Sequence, residues 1–227
     1  MNLKQFLLFV LGGILLTGIV VGVLLFLKDS TTANTTTAKK QEKTITIAAF
    51  GDSLTAGYGV DLTESYPYLL ERKLQEEDIS ARVINMGVSG ETTSGGLERV
   101  SFVLEQNPDI ILLGLGANDM LRSLPPSLVK SNLETIIVGL LQGNKKIILL
   151  GMKSVTTNGQ TYRQEFDAIY SDLAKKYNLT LVPFFLEGVI LRPTLNTNDG
   201  IHPNKSGYEK IVSENILPVL LPHLKKL

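Results

Sequence analysis

The sequence predicts an α/β fold, with helices packed on a central parallel sheet, preceded by one membrane-spanning helix. Three observations lead there. An unbroken apolar run fills Phe6 to Leu27; beyond Thr44, short runs rich in β-branched residues alternate with longer segments of helical period; and polar, glycine-bearing motifs follow the apolar runs. With 227 residues, 44% hydrophobic and 19% charged, the chain fits one ordinary domain plus an additional segment at its front.

That front segment has 22 residues without an ionisable group, bracketed by Lys4 and Lys28. At a rise of about 1.5 Å per residue it spans the roughly 30 Å core of a bilayer. A cleaved signal peptide has a shorter apolar region, about 7 to 15 residues, ending at small residues. Here the small-residue candidates lie only in Thr31 to Ala38, beyond two charges, so residues 1–28 read as an uncleaved anchor. A lipid-anchored lipoprotein is excluded by the absence of cysteine, and a buried core helix rarely lacks a polar face. Residues 29–43, DSTTANTTTAKKQEK, are threonine-rich without apolar period and read as a flexible linker. The domain proper is 44–227.

The flanking lysines run against the simple positive-inside count, but large domains cross membranes largely regardless of such charges. An N-terminal apolar segment acts as an export signal. The expected location is therefore the cell membrane, single-pass, with the domain outside the cytoplasm; secretion or periplasmic release after cleavage is the alternative. The domain carries 17 basic and 20 acidic residues with no basic stripe, which argues against nucleic acid. Lack of cysteine also excludes thiolate catalysis and thiolate metal sites.

Within the domain, strands are expected at Thr44 to Phe50, Ala81 to Asn85, Ile110 to Leu115, Lys146 to Leu150 and Thr180 to Val182. Tyr66 to Glu77, Leu97 to Gln106, Ser127 to Leu141 and Tyr162 to Tyr177 have apolar residues three and four apart and read as helices, with Ser206 to Leu220 closing the chain. Pro125 and Pro126 suit a helix start, where a missing N–H costs nothing.

Ligands of such sheets bind outside the carboxyl ends of the strands. The polar motifs fall there: GDSLTAGYG after the first strand, NMGVSGET after the second, GLGANDML after the third, and NTNDGIHPN before the last helix. Ser53 becomes nucleophilic only beside a base, usually histidine. The chain has two histidines. His223, in LPHLKKL, reads as a tail residue; His202 has Asp199 three residues earlier, so one turn could bring the carboxylate to the imidazole, although Asp-Gly is also a common solvated turn. An oxyanion hole needs preorganised N–H donors, which the Ser53 amide, Gly87 and Asn118 could supply. Gly87 is equally compatible with a strand-ending turn, and Asn118 with a local cap.

Taken together, Gly51-Asp52-Ser53-Leu54, Gly87, Gly116-Ala117-Asn118-Asp119 and Asp199-Gly200-Ile201-His202-Pro203 resemble the four blocks of the SGNH or GDSL hydrolases, in order and across the whole domain. GDSLTAGYG, YRQEFDAIYSDLAKKYNL, LVPFFLEGV and DGIHPN are closer still to the subgroup of bacterial acyl-CoA thioesterase I, lysophospholipase L1 and arylesterase. The resemblance implies a flavodoxin-like three-layer α/β/α sandwich, a Ser53 nucleophile, a His202 base supported by Asp199, and an oxyanion hole of Ser53, Gly87 and Asn118. It implies cleavage of acyl esters or thioesters without a metal or other cofactor. The apparent anchor departs from the family's soluble members.

Two neighbouring chemistries are set aside. The α/β-hydrolase elbow, Gly-x-Ser-x-Gly, would need glycine where Thr55 stands. A two-metal phosphoesterase built on Asp52, Asn118, Asp119 and His202 would draw on more histidines. An acyltransferase or deacylase acting on cell-envelope glycans through the same triad is the alternative function, and a non-catalytic binding protein a third. A monomer is expected, with Leu121, Leu124 and Met152 as candidates for lining an acyl groove.

Overall fold

Five parallel strands form the centre of the structure, a computed structural model that describes residues 44–154 and 158–225. They are β1 (Ile45–Gly51), β2 (Ala81–Gly87), β3 (Ile110–Gly114), β4 (Lys146–Leu150) and β5 (Thr180–Val182), in the order β2-β1-β3-β4-β5. A strand covered on both faces carries a continuous apolar run instead of an alternating one. The runs Ile47–Phe50 and Ile110–Leu113 accordingly have every side chain buried.

Nine α-helices are present among the described residues: α1 (Ser53–Ala56), α2 (Tyr66–Glu76), α3 (Thr93–Glu98), α4 (Val100–Glu105), α5 (Ala117–Leu121), α6 (Pro126–Gln142), α7 (Gln160–Tyr177), α8 (Lys205–Lys210) and α9 (Leu217–Leu224). One layer is α2 with the C-terminal helical stretch, and the other is α3, α4, α6 and α7, which completes three layers. Each long helix buries one stripe, such as Leu69, Leu70 and Leu74 of α2 or Val129, Leu133, Ile136, Ile137 and Leu140 of α6. Full burial of one such side chain contributes roughly 1.5–3 kcal/mol. The stripes therefore fix which face meets the sheet.

The five strand positions match the sequence reading to within two residues, with β4 and β5 coinciding. Two helices differ. Leu97 to Gln106 starts earlier, at Thr93, and is broken at Arg99, whose φ of −101° and ψ of 3° are not helical. The closing helix continues from Lys205 to Leu224 and widens over Ile211–Ile216. That widening precedes Pro218, which has no N–H to donate and whose ring would press on the carbonyl one turn back.

Strands β1, β2 and β3 end level, with Gly51 paired in register to both Gly87 and Gly114. The chain leaves β1 for β2 on one side and returns to β3 on the other, so the sheet's topological switch point lies beyond this line of glycines. Among the described residues no helix is long and apolar enough to cross a membrane. The expected anchor (1–28) and linker (29–43) lie outside the described residues.

Candidate active site

Directly after β1 the chain turns into α1, with Asp52 as its cap and Ser53 as its first residue. The buried Asp52 carboxylate accepts the Leu54 N–H at 3.0 Å, and its backbone carbonyl accepts the N–H groups of Thr55 and Ala56. A capping carboxylate in a short helix start is ordinary; full burial of one is not. Burial, reinforced by the nearby Glu91 and Asp119 carboxylates, pushes the Asp52 acid up to about 7.

The Ser53 hydroxyl is left half-buried and faces His202, with Oγ 2.8 Å from Nε2. His202 Nδ1 lies 2.6 Å from Asp199 Oδ2. A carboxylate accepts only, so Nδ1 carries the proton, and Nε2 is free to accept the Ser53 O–H. The Asp199 Oδ1 atom takes three further donors, the Thr197 hydroxyl at 2.8 Å, the Ile201 N–H at 2.8 Å and the His202 N–H at 2.9 Å. Partial burial opposes ionisation of Asp199, but the hydrogen bonds from His202, Ile201 and Thr197 outweigh it and hold the carboxyl well below the usual carboxylate range. Tyr58 covers one side of the imidazole, ring centroids 4.8 Å apart.

The loop that carries this pair is braced at its base. Asn196 and Pro203 form an antiparallel bridge, Thr197 N–H donates to His202 C=O at 2.8 Å, and Asn204 N–H donates to Leu195 C=O at 3.0 Å. The Asn196 amide donates to the carbonyls of Val189 and Arg192, both at 2.8 Å. Three residues of spacing therefore suffice to set carboxylate and imidazole side by side.

Asn118 reaches the same place from α5. Its Nδ2 donates to Glu91 C=O at 3.0 Å, which fixes the amide plane and leaves a second N–H. The neighbouring Asp119 is buried and accepts both the N–H (2.8 Å) and the hydroxyl (2.6 Å) of Thr93, locking α5 to α3.

Gly87 is not brought to the site, and its reading as an oxyanion donor is corrected. It is the last residue of β2, and its N–H donates to Asn85 Oδ1 at 3.0 Å. The absence of a side chain there serves packing: a Cβ would lie 2.1 Å from Ala56 N and 2.6 Å from Thr55 C, in the backbone of α1. The glycine of this loop that does reach the site is Gly90, with φ of 80°, and among the described residues its N–H has no protein acceptor. Ending the second strand at Asn85 makes Gly87 a loop residue; carried on to Gly87, the strand leaves Gly90 as the first glycine free to line a site.

Ser53, Asn118, Gly90, Asp199 and His202 line one cavity of about 390 Å³, whose remaining wall is mostly apolar. Leu121 and Met152 belong to that wall, as do Met120, Phe184, Leu186 and Ile190, whereas Leu124 does not. His223 is not a loose tail: it lies in α9, with Nε2 2.8 Å from the Thr180 hydroxyl on β5. Among the described residues no group of three carboxylates or imidazoles is placed to hold a metal ion.

A hydrogen-bonded Ser–His–Asp chain at the switch point of a three-layer parallel sheet defines a serine hydrolase. Residues 49–210 match the GDSL-like Lipase/Acylhydrolase family, and the chain belongs to that family. It is similar to an arylesterase of Vibrio mimicus, 37% identical over 179 residues, covering 78% of this chain and 89% of the relative. It is similar also to the thioesterase 1/protease 1/lysophospholipase L1 of Escherichia coli strain K12, 37% identical over 161 residues, covering 70% of this chain and 76% of the relative. The solved structure of AlinE4, an SGNH-hydrolase family esterase, superposes with a TM-score of 0.67 at 43% identity, covering 81% of this chain and 96% of that one. The chain is thus an ester-hydrolysing enzyme with serine esterase or thioesterase activity.

Proposed function

We propose that Ser53 attacks the acyl carbon of esters and thioesters and carries the acyl group as a covalent intermediate. His202 Nε2 takes the Ser53 proton during attack and returns it to the departing alcohol or thiol, and Asp199 holds the resulting imidazolium. The negative oxygen is received by the N–H groups of Ser53, Gly90 and Asn118, with Gly90 in the place first given to Gly87. Water then enters by the same base and releases the acid. The observation that carries this reading is the chain Ser53–His202–Asp199, closed at 2.8 and 2.6 Å on the wall of an apolar cavity.

The substrate proposed is an acyl ester or thioester whose hydrocarbon part occupies the wall built by Met120, Leu121, Phe184 and Ile190. That lining favours an acyl chain over a cell-envelope glycan, which would want hydrogen-bonding walls. Lysophospholipids fit the same description. All five proposed site residues come from one chain, which supports action as a monomer. The sequence at Phe6 to Leu27 supports attachment to the membrane with the domain outside the cytoplasm.

The direct test is hydrolysis of p-nitrophenyl butyrate and an acyl-CoA, with Ser53→Ala as control. The variant is expected to remain folded, since Ser53 is not the helix cap, and to lose turnover. Turnover near wild type in the folded variant would overturn the assignment, and acyl transfer to glycans without hydrolysis would favour the alternative function. Deletion of residues 1–43 is expected to move the active domain from the membrane fraction to the soluble one.

A further inference from the structure

The broken helix at Arg99 sets a guanidinium beneath the site where it touches several loop origins at once. Its Nε donates to Glu91 Oε1 at 2.7 Å, Nη2 pairs with Glu91 Oε2, and Nη1 donates to Met86 C=O at 3.1 Å. Nη2 also approaches the Gly51 carbonyl at 3.5 Å, and the guanidinium lies 4.9 Å from the centre of the Phe50 ring. Gly51 closes β1 two residues before Ser53, and Met86 is the penultimate residue of β2.

Glu91 joins this anchor to the third loop. Its side chain is largely buried, with 7% exposure, and lies against Gly95, where an added Cβ would stand 3.1 Å from Glu91 Cγ. Its N–H donates to Val88 C=O, closing the turn that contains Gly90, and its own carbonyl is the acceptor that orients the Asn118 amide. The Arg99 side chain thus ties Glu91 to the ends of β1 and β2, and the Glu91 backbone ties the same anchor to the Gly90 turn and to Asn118.

We propose that Glu91 and Arg99 are positioning residues that hold the oxyanion donors, Gly90 and Asn118, at a fixed distance from Ser53. This rests on the oxyanion reading given above. A buried ion pair on average adds little to stability over an apolar pair of the same volume, because both charges lose their water. What the planar fork adds is geometry: two parallel bonds to one carboxylate, with a further nitrogen left for a backbone carbonyl. Displacement of a catalytic group by about 1 Å can cost on the order of a hundredfold in rate.

The experiment compares Glu91→Gln, Arg99→Lys, Asn118→Ala and the Glu91→Gln/Asn118→Ala double variant in the full chain, reading kcat and KM on p-nitrophenyl butyrate together with thermal melting. Glu91→Gln is expected to lower kcat by about ten- to a hundredfold with KM within about twofold. Arg99→Lys keeps the charge and loses the fork, so a similar loss is expected; should that variant fail to fold, Glu91→Gln carries the test. In the Asn118→Ala background the Glu91→Gln loss should shrink, because one of the two donors it positions is gone and only Gly90 is left to displace. A folded Glu91→Gln enzyme with kcat within twofold of wild type, or losses that multiply fully in the double variant, would overturn the positioning role while leaving the oxyanion hole intact. An unchanged kcat in Asn118→Ala would instead overturn the oxyanion reading itself.

Discussion

One carboxylate, Asp199, holds its partner His202 twice: Oδ2 takes the ring at Nδ1, 2.6 Å away, and Oδ1 takes the same residue's backbone N–H at 2.9 Å. A loop dipeptide spacing that is common in solvated turns here fixes both the tautomer and the direction of the ring. The Thr197 hydroxyl and the Ile201 N–H complete the acceptor's shell.

Asp199→Asn should therefore do more than remove a charge. An amide at this position can present an N–H to Nδ1, which favours the wrong tautomer, and kcat is expected to fall by roughly 10³- to 10⁴-fold. The stability contribution of the native carboxylate has the sign of a depressed acid: present above its unfolded value near 3.8 and lost as pH falls through the lower folded value. Acid melts of wild type and variant below pH 4 should converge. Turnover of p-nitrophenyl butyrate within tenfold of wild type would remove Asp199 from the triad.

Asp52 has the opposite sign. Its acid is raised from 3.8 to about 7 by burial, so the folded state binds a proton that the unfolded state has already released, and stability should fall as pH rises from about 4 to 7. At about 1.36 kcal/mol per unit the ceiling of this loss is on the order of 4 kcal/mol. Asp52→Asn retains an oxygen for the Leu54 N–H and cannot ionise. Urea unfolding at pH 5 and pH 8 should show a falling midpoint for wild type and a level one for the variant; equal slopes would mean that Asp52 does not titrate in this range.

The sheet was legible in the sequence because β1, β3, β4 and β5 are largely apolar runs bounded by polar turns and the edge strand β2 still carries Val83, Ile84 and Met86 around Arg82 and Asn85, and the hydrogen-bonded Ser53–His202–Asp199 arrangement because few residue types can supply it: two histidines, one of them with a carboxylate three residues away. What escaped lies in contacts between distant segments. The short helices α1 and α5 have too few residues for a period, and the helix breaks at Arg99, whose side chain bonds to Glu91, Met86 and Gly51, contacts that periodicity cannot register. Gly87 was misread for a related reason. A glycine after an apolar run looks the same whether it bares an N–H to substrate or makes room for Ala56.

That second role predicts a phenotype of stability. In Gly87→Ala the new Cβ would meet backbone atoms of Thr55 and Ala56, which cannot rotate away as a side chain can. The expected cost is about 1–3 kcal/mol, seen as a lowered melting temperature. Activity should fall as well, because α1 carries Ser53, but the loss should follow displacement of the helix and not a missing donor. A variant with wild-type melting and selectively reduced kcat would restore Gly87 to the oxyanion hole.

The two histidines give the sharpest separation of site from scaffold. His202 is the ring 2.8 Å from the Ser53 hydroxyl, and no other imidazole among the described residues can take its place, because His223 is engaged with Thr180 on the edge strand β5, with β4 and β3 between it and the strand that leads to Ser53. His202→Ala is expected to remove nearly all turnover while the braced loop persists, since Asn196, Thr197 and Asn204 hold it through backbone bonds and amide side chains that the substitution leaves in place. His223→Ala should leave kcat unchanged and lower stability by about 0.5–1.5 kcal/mol, the net contribution of one ordinary hydrogen bond. The check is kcat on p-nitrophenyl butyrate beside a melting curve for each variant. If His223→Ala were the inactive enzyme and His202→Ala the active one, the base drawn here would be wrong even with Ser53 as nucleophile.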